Sequence, residues 1–444
     1  MVLRIIVDNL FSFGSQTEFN MFTNKSQRHL LHKKYINDIA YLKMAALYGA
    51  NGAGKSNLIK SLGILVECMR RGKLMAFADE LKFKLDSQNI QKPSSIGVEF
   101  IVNQKVFFYT ISFDSSGVLY EYLSESGRHC EKRIFERYFE ENKENILFYD
   151  GNSTDSRHQM FVEMLSEKFV GRNDLLICIL QDKYSDDFPE TRSAYRWFTK
   201  TLTILGADER IQPLAYVFDK DKEMFDYANN LIGKLSTGVV GLSVSSSEIK
   251  KTDENSFIFD RLKEEPNSIS ETRNIITGDV VNYVKEGEKV MAKRIRASHI
   301  NNEGQSVTFG FGLESDGTQR LVDYLPMIYD IIYNDNVIII DEIERSIHPI
   351  IIKELISLLS AKDDMKGQLI FSTHESCLLD QDILRTDEIW FAQKNQEGST
   401  QLYSLSDFNV HSTANIENGY LNGRYGGIPF LTNLKDLHWE YGQK

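Results

Sequence analysis

The stretch Leu47-Tyr48-Gly49-Ala50-Asn51-Gly52-Ala53-Gly54-Lys55-Ser56 decides the fold of this protein. A short apolar run, Ala45 to Tyr48, leads into it, and an amphipathic run from Asn57 to Met69 follows it. This order of strand, glycine-rich turn and helix has the spacing of a Walker A phosphate-binding loop. The alternative is a glycine-containing turn before an ordinary helix, but here the flanking sequences match as well as the motif.

The residue types of this loop suit a nucleoside triphosphate. The glycines allow consecutive backbone N–H groups to turn toward one centre, and this concavity opens into a positively polarised helix N-terminus. Lys55 can reach the β- and γ-phosphate oxygens, and the Ser56 hydroxyl is placed to ligate magnesium. We therefore predict ATP and Mg²⁺ as cofactors. The predicted nucleotide-binding residues of the loop are Gly49, Asn51, Gly52, Gly54, Lys55, Ser56 and Asn57.

Composition excludes several classes of protein. No apolar run among the 444 residues reaches the roughly 18 that a membrane span needs, and the N-terminus lacks a signal-peptide pattern. We therefore expect a cytoplasmic protein without a membrane partner. A formal charge of −12 argues against a surface that coats nucleic acid, so DNA binding needs separate support. Four cysteines without a CxxC pair indicate buried or free thiols, namely Cys68, Cys130, Cys178 and Cys377.

Two regions before residue 150 read as strands. Residues 3–10 predict a strand of an N-terminal pair, which would give the nucleotide base a surface to rest on. Apolar residues alternate with polar or small ones in Ser95–Val102, Lys105–Phe113 and Val118–Ser124, with turn sequences between them. These three runs predict an antiparallel meander.

The pattern changes in the middle of the chain. From about 155 to 236 the periodicity is helical, including Leu202 and Leu205, and it indicates a helical insertion without a coiled-coil arm. The polar stretch from about 246 to 279 has the composition of a mobile loop. A cluster of bases then follows, for which a solvated face is favoured over a nucleic-acid contact. These bases are Lys289, Lys293, Arg294 and Arg296.

The last third carries a second motif, Val337-Ile338-Ile339-Ile340-Asp341-Glu342. Four aliphatic residues before two carboxylates are typical of a buried parallel strand whose carboxyl end faces a ligand. We interpret it as a Walker B motif, in which Asp341 holds magnesium through water and Glu342 orients or deprotonates an attacking water. A further apolar strand, Gln368–Ser372, leads to His374, which can bond a γ-phosphate if the two strands are neighbours. A surface histidine is the alternative.

A possible second anion site lies in Leu313-Glu314-Ser315-Asp316-Gly317-Thr318-Gln319-Arg320, which precedes a helical run. Ser315 is a suitable N-cap, and a helix start with small residues and free amides binds anions. A capped helix with no further role is the alternative reading. The order along the chain is phosphate loop, this motif, Walker B and histidine.

That order is the order of ABC-type ATPases, and the chain resembles the stand-alone ABC/SMC-like ATPases named AAA15 or AAA21, relatives of the OLD ATPase domain. Residues 313–320 resemble the signature motif of these proteins, and Asp341 to Pro349 resemble their Walker B and D-loop. Asn415 to Gly426 resemble their closing segment. The match covers roughly residues 1–135 and 290–435.

The resemblance implies an α/β fold: an ABC-type P-loop ATPase head with an antiparallel β wing and a helical insertion. Residues 1–150 would form the N-terminal part of the head with Walker A and the wing. Residues 151–285 would form the helical insertion or lid with a flexible loop. Residues 286–444 would form the C-terminal part of the head with signature, Walker B and the switch histidine.

The resemblance also implies that nucleotide is sandwiched between two protomers, so that the protein is at least a dimer. Ser315 and Gly317 of one chain would cap the γ-phosphate held by the phosphate loop of the other. Two positions depart from the ABC pattern: Asp316 replaces a glycine of the signature, and His348 replaces the D-loop aspartate of transporters. Both departures are similar to what this subfamily shows, so nucleotide binding is expected and the rate of hydrolysis stays open.

Relatives of this type form the ATPase half of bacterial anti-phage systems, including PARIS and abortive-infection ATPases, beside a separate effector. OLD proteins instead carry a fused Toprim nuclease, whereas this sequence ends at Lys444, shortly after the closing segment. We therefore expect an ATP-hydrolysing sensor and regulator that oligomerises around ATP and controls a separate effector such as a nuclease toxin, with a phage-encoded trigger. The alternatives are an SMC/RecF-like DNA-repair or DNA-clamping ATPase and, less favoured, a transporter motor.

Overall fold

A computed structural model describes residues 1–127, 131–140, 143–149, 156–184, 186–211, 213–411 and 413–428. The strands among them are β1 Val2–Asp8, β2 Thr17–Asn20, β3 Lys33–Ile36, β4 Ile39–Leu42, β5 Met44–Tyr48, β6 Ser94–Val102, β7 Lys105–Asp114, β8 Gly117–Ser126, β9 Glu131–Glu140, β10 Lys143–Phe148, β11 Leu202–Leu205, β12 Gly241–Ile249, β13 Ile269–Arg273, β14 Val280–Glu286, β15 Lys289–Ile300, β16 Ser306–Gly310, β17 Val337–Ile340, β18 Gln368–Ser372, β19 Ile389–Lys394 and β20 Thr400–Ser404. The α-helices are α1 Lys55–Arg71, α2 Ser87–Gln91, α3 Ser156–Met164, α4 Leu176–Lys183, α5 Pro189–Arg196, α6 Leu214–Lys220, α7 Lys222–Ile232, α8 Ser256–Glu264, α9 Asp316–Tyr333, α10 Pro349–Ser360 and α11 Ile416–Leu421.

The described residues divide into two compact units. The first contains those of Met1–Ile204, Ile339–Glu342 and Gln368–Lys444, and the second contains those of Leu205–Ile338 and Ile343–Gly367. Within the described ranges, no helix has the length and apolar character that crossing a bilayer requires.

The central sheet has the strand order β11-β17-β18-β5-β19-β20. Strand β5 runs parallel to both β18 and β19, and every residue of β5 is buried. A continuous apolar strand of this kind is expected where both faces of a parallel sheet are covered. Because β17 and β18 are neighbours in this order, the condition that we set for His374 is fulfilled.

The second sheet of the first unit is antiparallel, with the order β10-β9-β8-β7-β6-β1-β2. It contains the predicted meander as β6, β7 and β8, and the predicted N-terminal strand pair as β1 and β2, so both predictions are confirmed. The fully buried side chain of Gln368 joins this sheet to the central one. Its Oε1 accepts from the Val2 N–H at 2.7 Å, and its Nε2 donates to the carbonyls of Val2 and Leu42 at 3.0 and 2.8 Å.

The described helices α3 to α7 confirm the predicted helical character of this region, with one correction, and its role as an insertion stays a prediction. Leu202–Leu205 is strand β11 at the edge of the central sheet, although its apolar spacing fits a helix. The pairing of β11 with β17 supplies backbone hydrogen bonds that local periodicity does not reveal.

The prediction of a mobile loop from about 246 to 279 is wrong. The region contains the end of β12, helix α8 and strand β13, within a sheet of order β12-β15-β14-β13 with β16 beside β15. Its polar composition reflects a strand with most residues toward solvent: in β12 only Leu242 is buried. Helix α8 is held by Ile258 and Leu262, one turn apart, which pack on Val290.

The prediction of a solvated basic face is wrong for Lys293. This side chain is only 2% exposed, and its ammonium contacts the carboxylates of Asp219 and Glu286. Burial lowers the pKa of Lys293, but these hydrogen bonds outweigh it and raise the pKa above its ordinary value. By contrast, Lys289 is 63% exposed in a surface pair with Glu248.

The described cysteines Cys68, Cys178 and Cys377 are thiols that form no disulfide with one another, as expected, and Cys130 lies outside the described residues. Burial raises the pKa of Cys68 to about 11, so this thiol stays protonated at neutral pH.

We expect Lys293→Ala to lower the free energy of unfolding by about 1.5 to 3 kcal/mol, because it removes a buried ammonium that is hydrogen-bonded to Asp219 and Glu286. Lys289→Ala is the matched control, with an expected loss below about 0.5 kcal/mol, since its ion pair is exposed. Urea unfolding followed by circular dichroism measures both. Equal losses for the two variants would contradict a stabilising role of the buried Lys293 ammonium.

Candidate nucleotide site

Three glycines of the phosphate loop have positive φ, and at two of them a neighbouring group also leaves no space for a side chain. Gly49, Gly52 and Gly54 have φ of 152°, 77° and 112°. A Cβ on Gly54 would lie 2.2 Å from Oγ1 of Thr400, and one on Gly49 would lie 2.5 Å from the Ala392 carbonyl oxygen. A Cβ on Gly52 would meet nothing within 4 Å. The loop is therefore fixed at its two ends and open in its middle.

Polar side chains from distant parts of the chain brace this loop. The Thr400 hydroxyl lies 2.8 Å from both the Ala53 carbonyl oxygen and the Ser12 hydroxyl, and the Thr400 N–H donates to the Ser12 carbonyl at 2.7 Å. Asn57 donates from Nδ2 to the Ser12 hydroxyl at 2.8 Å. Asn57 thus supports the loop in this structure, and its contact with nucleotide stays a prediction, as does that of the exposed Asn51.

Lys55 and His374 meet at the start of helix α1. The Lys55 ammonium donates to the Gly49 carbonyl at 2.8 Å and lies 3.1 Å from Nε2 of His374. The lysine is 5% exposed, whereas the histidine is exposed. The sequence prediction that the end of strand β18 lies beside the phosphate loop is therefore confirmed in position, and the role of His374 stays a prediction.

Asp341 connects the phosphate loop to the ends of β17 and β18. Its Oδ1 accepts from the Ser56 hydroxyl at 3.0 Å and from the Ser372 hydroxyl at 2.5 Å, and the residue is 4% exposed. The Ser372 hydroxyl in turn accepts from the Glu342 N–H at 2.8 Å. A hydroxyl and a carboxylate side by side are hard oxygen donors of the kind that Mg²⁺ prefers.

Glu342 follows Asp341 in a left-handed backbone conformation, with φ of 51°. This region is uncommon for residues other than glycine, and such outliers concentrate at functional sites. Its side chain is half-buried. The turn directs the chain away from the buried strand directly after the Asp341 carboxylate.

Helix α9 of the second unit begins as the sequence predicts. The exposed Ser315 is its N-cap, and its hydroxyl accepts from the Thr318 N–H at 3.2 Å. Gly317 is needed for packing, because a Cβ there would lie 2.3 Å from the Ser346 carbonyl oxygen. The predicted capping of a partner's γ-phosphate by Ser315 and Gly317 stays a prediction.

The residues of the first unit fit a magnesium nucleoside triphosphate. The glycine loop forms a concavity at a helix N-terminus, Lys55 supplies a fixed cation there, and Ser56 and Asp341 supply adjacent oxygen donors. The loop amides and Lys55 would hold the phosphates, and Ser56 and Asp341 would hold the metal. A bound nucleotide would supply the phosphoryl group for transfer.

Three residues of the site were missed by sequence reasoning: Ser12, Ser372 and Thr400. Ser372 carried a signal, because it is a polar residue at the end of an apolar strand directly before the candidate histidine. Ser12 and Thr400 carried none, since their role depends on β20 lying beside the loop, almost 350 residues further along the chain.

The fold and the site together define a P-loop protein. The chain belongs to the AAA_21 family, described as "AAA domain, putative AbiEii toxin, Type IV TA system", whose model matches residues 44–380. A comparison with curated proteins finds no match.

Solved structures with a similar fold include the SMC head domain from Thermotoga maritima, 12% identical over 91% of this chain and 98% of that chain, with a TM-score of 0.40. The SmcHead bound to the C-winged helix domain of ScpA is 13% identical over 91% and 97%, with a TM-score of 0.41. An Smc head domain with an extended coiled coil, bound to the C-terminal domain of ScpA derived from Pyrococcus furiosus, is 14% identical over 91% and 96%, with a TM-score of 0.38.

We expect Gly54→Ala to weaken ATP binding by about 100-fold, because the methyl group adds a clash with Thr400 to a backbone strain of about 1 to 3 kcal/mol. Gly52→Ala is the matched control: it carries the backbone strain without the clash, and a loss of about tenfold or less is expected. Titration calorimetry with ATP and Mg²⁺ measures both, with a thermal melt to check folding. Equal losses would contradict the braced loop.

Proposed function

We propose that this protein binds and hydrolyses ATP with magnesium, and that it uses the nucleotide to regulate a separate effector in bacterial anti-phage defence. The observation that carries the enzymatic part is the junction at Asp341, whose carboxylate bonds to Ser56 of the phosphate loop and to Ser372 of β18. This junction brings the metal donors, the Lys55 cation and Glu342 to one edge of one sheet.

In the proposed reaction each group has a role that follows from its position. Lys55 and the loop amides bind and orient the phosphates, and Lys55 offsets charge as the γ-phosphoryl group leaves. Glu342 accepts the proton of the attacking water, and its backbone is held by Ser372. His374, placed beside Lys55, donates a hydrogen bond to the phosphate.

The regulatory part of the proposal rests on the family and on the second anion site. The description of the AAA_21 family names a putative toxin of a type IV toxin–antitoxin system, which suits an ATPase that acts with a toxic effector. The capped start of α9 is an exposed helix N-terminus, which suits the γ-phosphate held by another copy. ATP would thus drive assembly into a dimer or larger oligomer, and a phage-encoded trigger would change the state of the effector.

We expect Lys55→Ala to abolish ATP binding, because the lost cation faces the most highly charged part of the nucleotide. Glu342→Gln should keep binding while phosphate release falls by at least about 100-fold, since the amide cannot accept a proton. Calorimetry and a phosphate-release assay measure the two steps separately. Unchanged affinity in the first variant, or normal turnover in the second, would remove that residue from its proposed role.

The defence role is tested by expressing the chain with its genomic neighbours and challenging the cells with phage. Protection is expected with the wild type and should be lost with Lys55→Ala, while Glu342→Gln should fix the system in one state, either inactive or toxic without phage. Lys289→Ala, which changes only an exposed ion pair, controls for expression. Equal protection by the wild type and by Lys55→Ala would contradict regulation by ATP.

The DNA-clamping alternative predicts DNA-stimulated turnover and salt-sensitive binding through a basic groove. Two of the four bases in the cluster are already paired with carboxylates: Lys293 with Asp219 and Glu286, and Lys289 with Glu248. Stimulation of phosphate release by duplex DNA in the same assay would favour this alternative over effector control.

A further inference from the structure

The start of helix α9 carries a charge that opposes its proposed role. Asp316, where the ABC signature has glycine, is the first residue of the helix, and its side chain is 77% exposed. A carboxylate favours a helix N-terminus in an isolated chain, but it repels any phosphate that approaches the same amides. The helix start therefore needs a compensating cation before it can accept a triphosphate.

Arg210 is a cation that lies beside Asp316. Its guanidinium lies 3.6 Å from the Asp316 carboxylate and 3.0 Å from the Asp323 carboxylate, two turns further along α9. Asp323 is only 6% exposed and Arg210 is 25% exposed, so the arginine is anchored on its buried side and meets Asp316 on its open side. The geometry differs from a free surface ion pair, in which both side chains would be mobile.

The backbone next to Arg210 is also fixed to α9. The buried guanidinium of Arg320 donates to the carbonyl of Glu209 and, at 3.2 Å, to the carbonyl of Gly206. Two hydrogen bonds from one rigid planar group restrict the position of both carbonyls. The segment 206–210 thus holds its arginine beside the helix start in a defined place.

We propose that Arg210 is a positioning residue of the composite ATP site: it neutralises Asp316, so that the start of α9 can receive the triphosphate held by a second copy of this chain. The inference rests on the proposed function, since it concerns the same assembly. It also explains how a signature with aspartate in place of glycine remains compatible with an anion. Arg210 itself need not touch the nucleotide.

The test is a charge-rescue experiment in the Glu342→Gln background, in which ATP is retained and assembly can be measured by analytical ultracentrifugation. We expect Arg210→Ala to weaken ATP-driven association by about tenfold or more, because the Asp316 charge is then unopposed. ATP affinity of the dilute protomer should not change, since the ion pairs of Arg210 described above are with residues of α9. Adding Asp316→Asn to Arg210→Ala should restore association, and Arg210→Lys should stay close to the parent.

The exposed pair of Lys289 and Glu248 in the same unit supplies the matched control, and Lys289→Ala should leave association unchanged. A merely structural role of Arg210 would leave Arg210→Ala defective whatever the charge at 316, so failure of the rescue overturns the inference. Association of Arg210→Ala equal to the parent also overturns it. If the Glu342→Gln parent binds ATP but does not associate, the proposed assembly itself is wrong, which separates that failure from failure of the inference alone.

Discussion

The structure depends on one buried carboxylate that accepts two hydroxyl hydrogen bonds from different parts of the chain. Asp341 receives Ser56 from the first turn of α1 and Ser372 from the end of β18. A buried carboxylate is costly unless it is hydrogen-bonded, so its partners must stay in place for the fold to be stable. The neighbouring strands β17 and β18 make this possible, because their carboxyl ends meet where Ser372 contacts Asp341 and Glu342. Stability and the proposed metal binding thus both require Asp341, Ser56 and Ser372 to stay in place.

The backbone of the phosphate loop is likewise fixed by residues from distant parts of the chain. Its shape is set by what lies behind it, the Ala392 carbonyl at one end and the Thr400 hydroxyl at the other, which leave no space for side chains at Gly49 and Gly54. Lys55 is held by the Gly49 carbonyl, so the position of its ammonium is fixed within the loop. A cation that is held in place loses less conformational freedom when it binds a phosphate, and this favours affinity.

Features that depend on contiguous residues could be predicted from the sequence. Features that depend on partners far away in the chain could not. The loop carrying Lys55 and the position of His374 follow from local motifs, together with one assumption about neighbouring strands. Thr400 and the burial of Lys293 depend on partners far away in the chain, such as Asp219, 74 residues from that lysine. The prediction for the region 246–279 failed for a different reason. A polar composition indicates that a segment faces solvent, and an exposed strand has the same composition as a disordered loop.

The chain passes from the first unit to the second between Glu342 and Ile343. In the second unit the Ile343 carbonyl accepts a hydrogen bond from the Tyr324 hydroxyl of α9 at 3.0 Å, and Gly317 of the same helix packs on the Ser346 carbonyl. Both Glu342 and Ser346 have positive φ, so this short segment is strained at each end. Within the second unit, these two contacts hold the residues that follow Glu342 against helix α9.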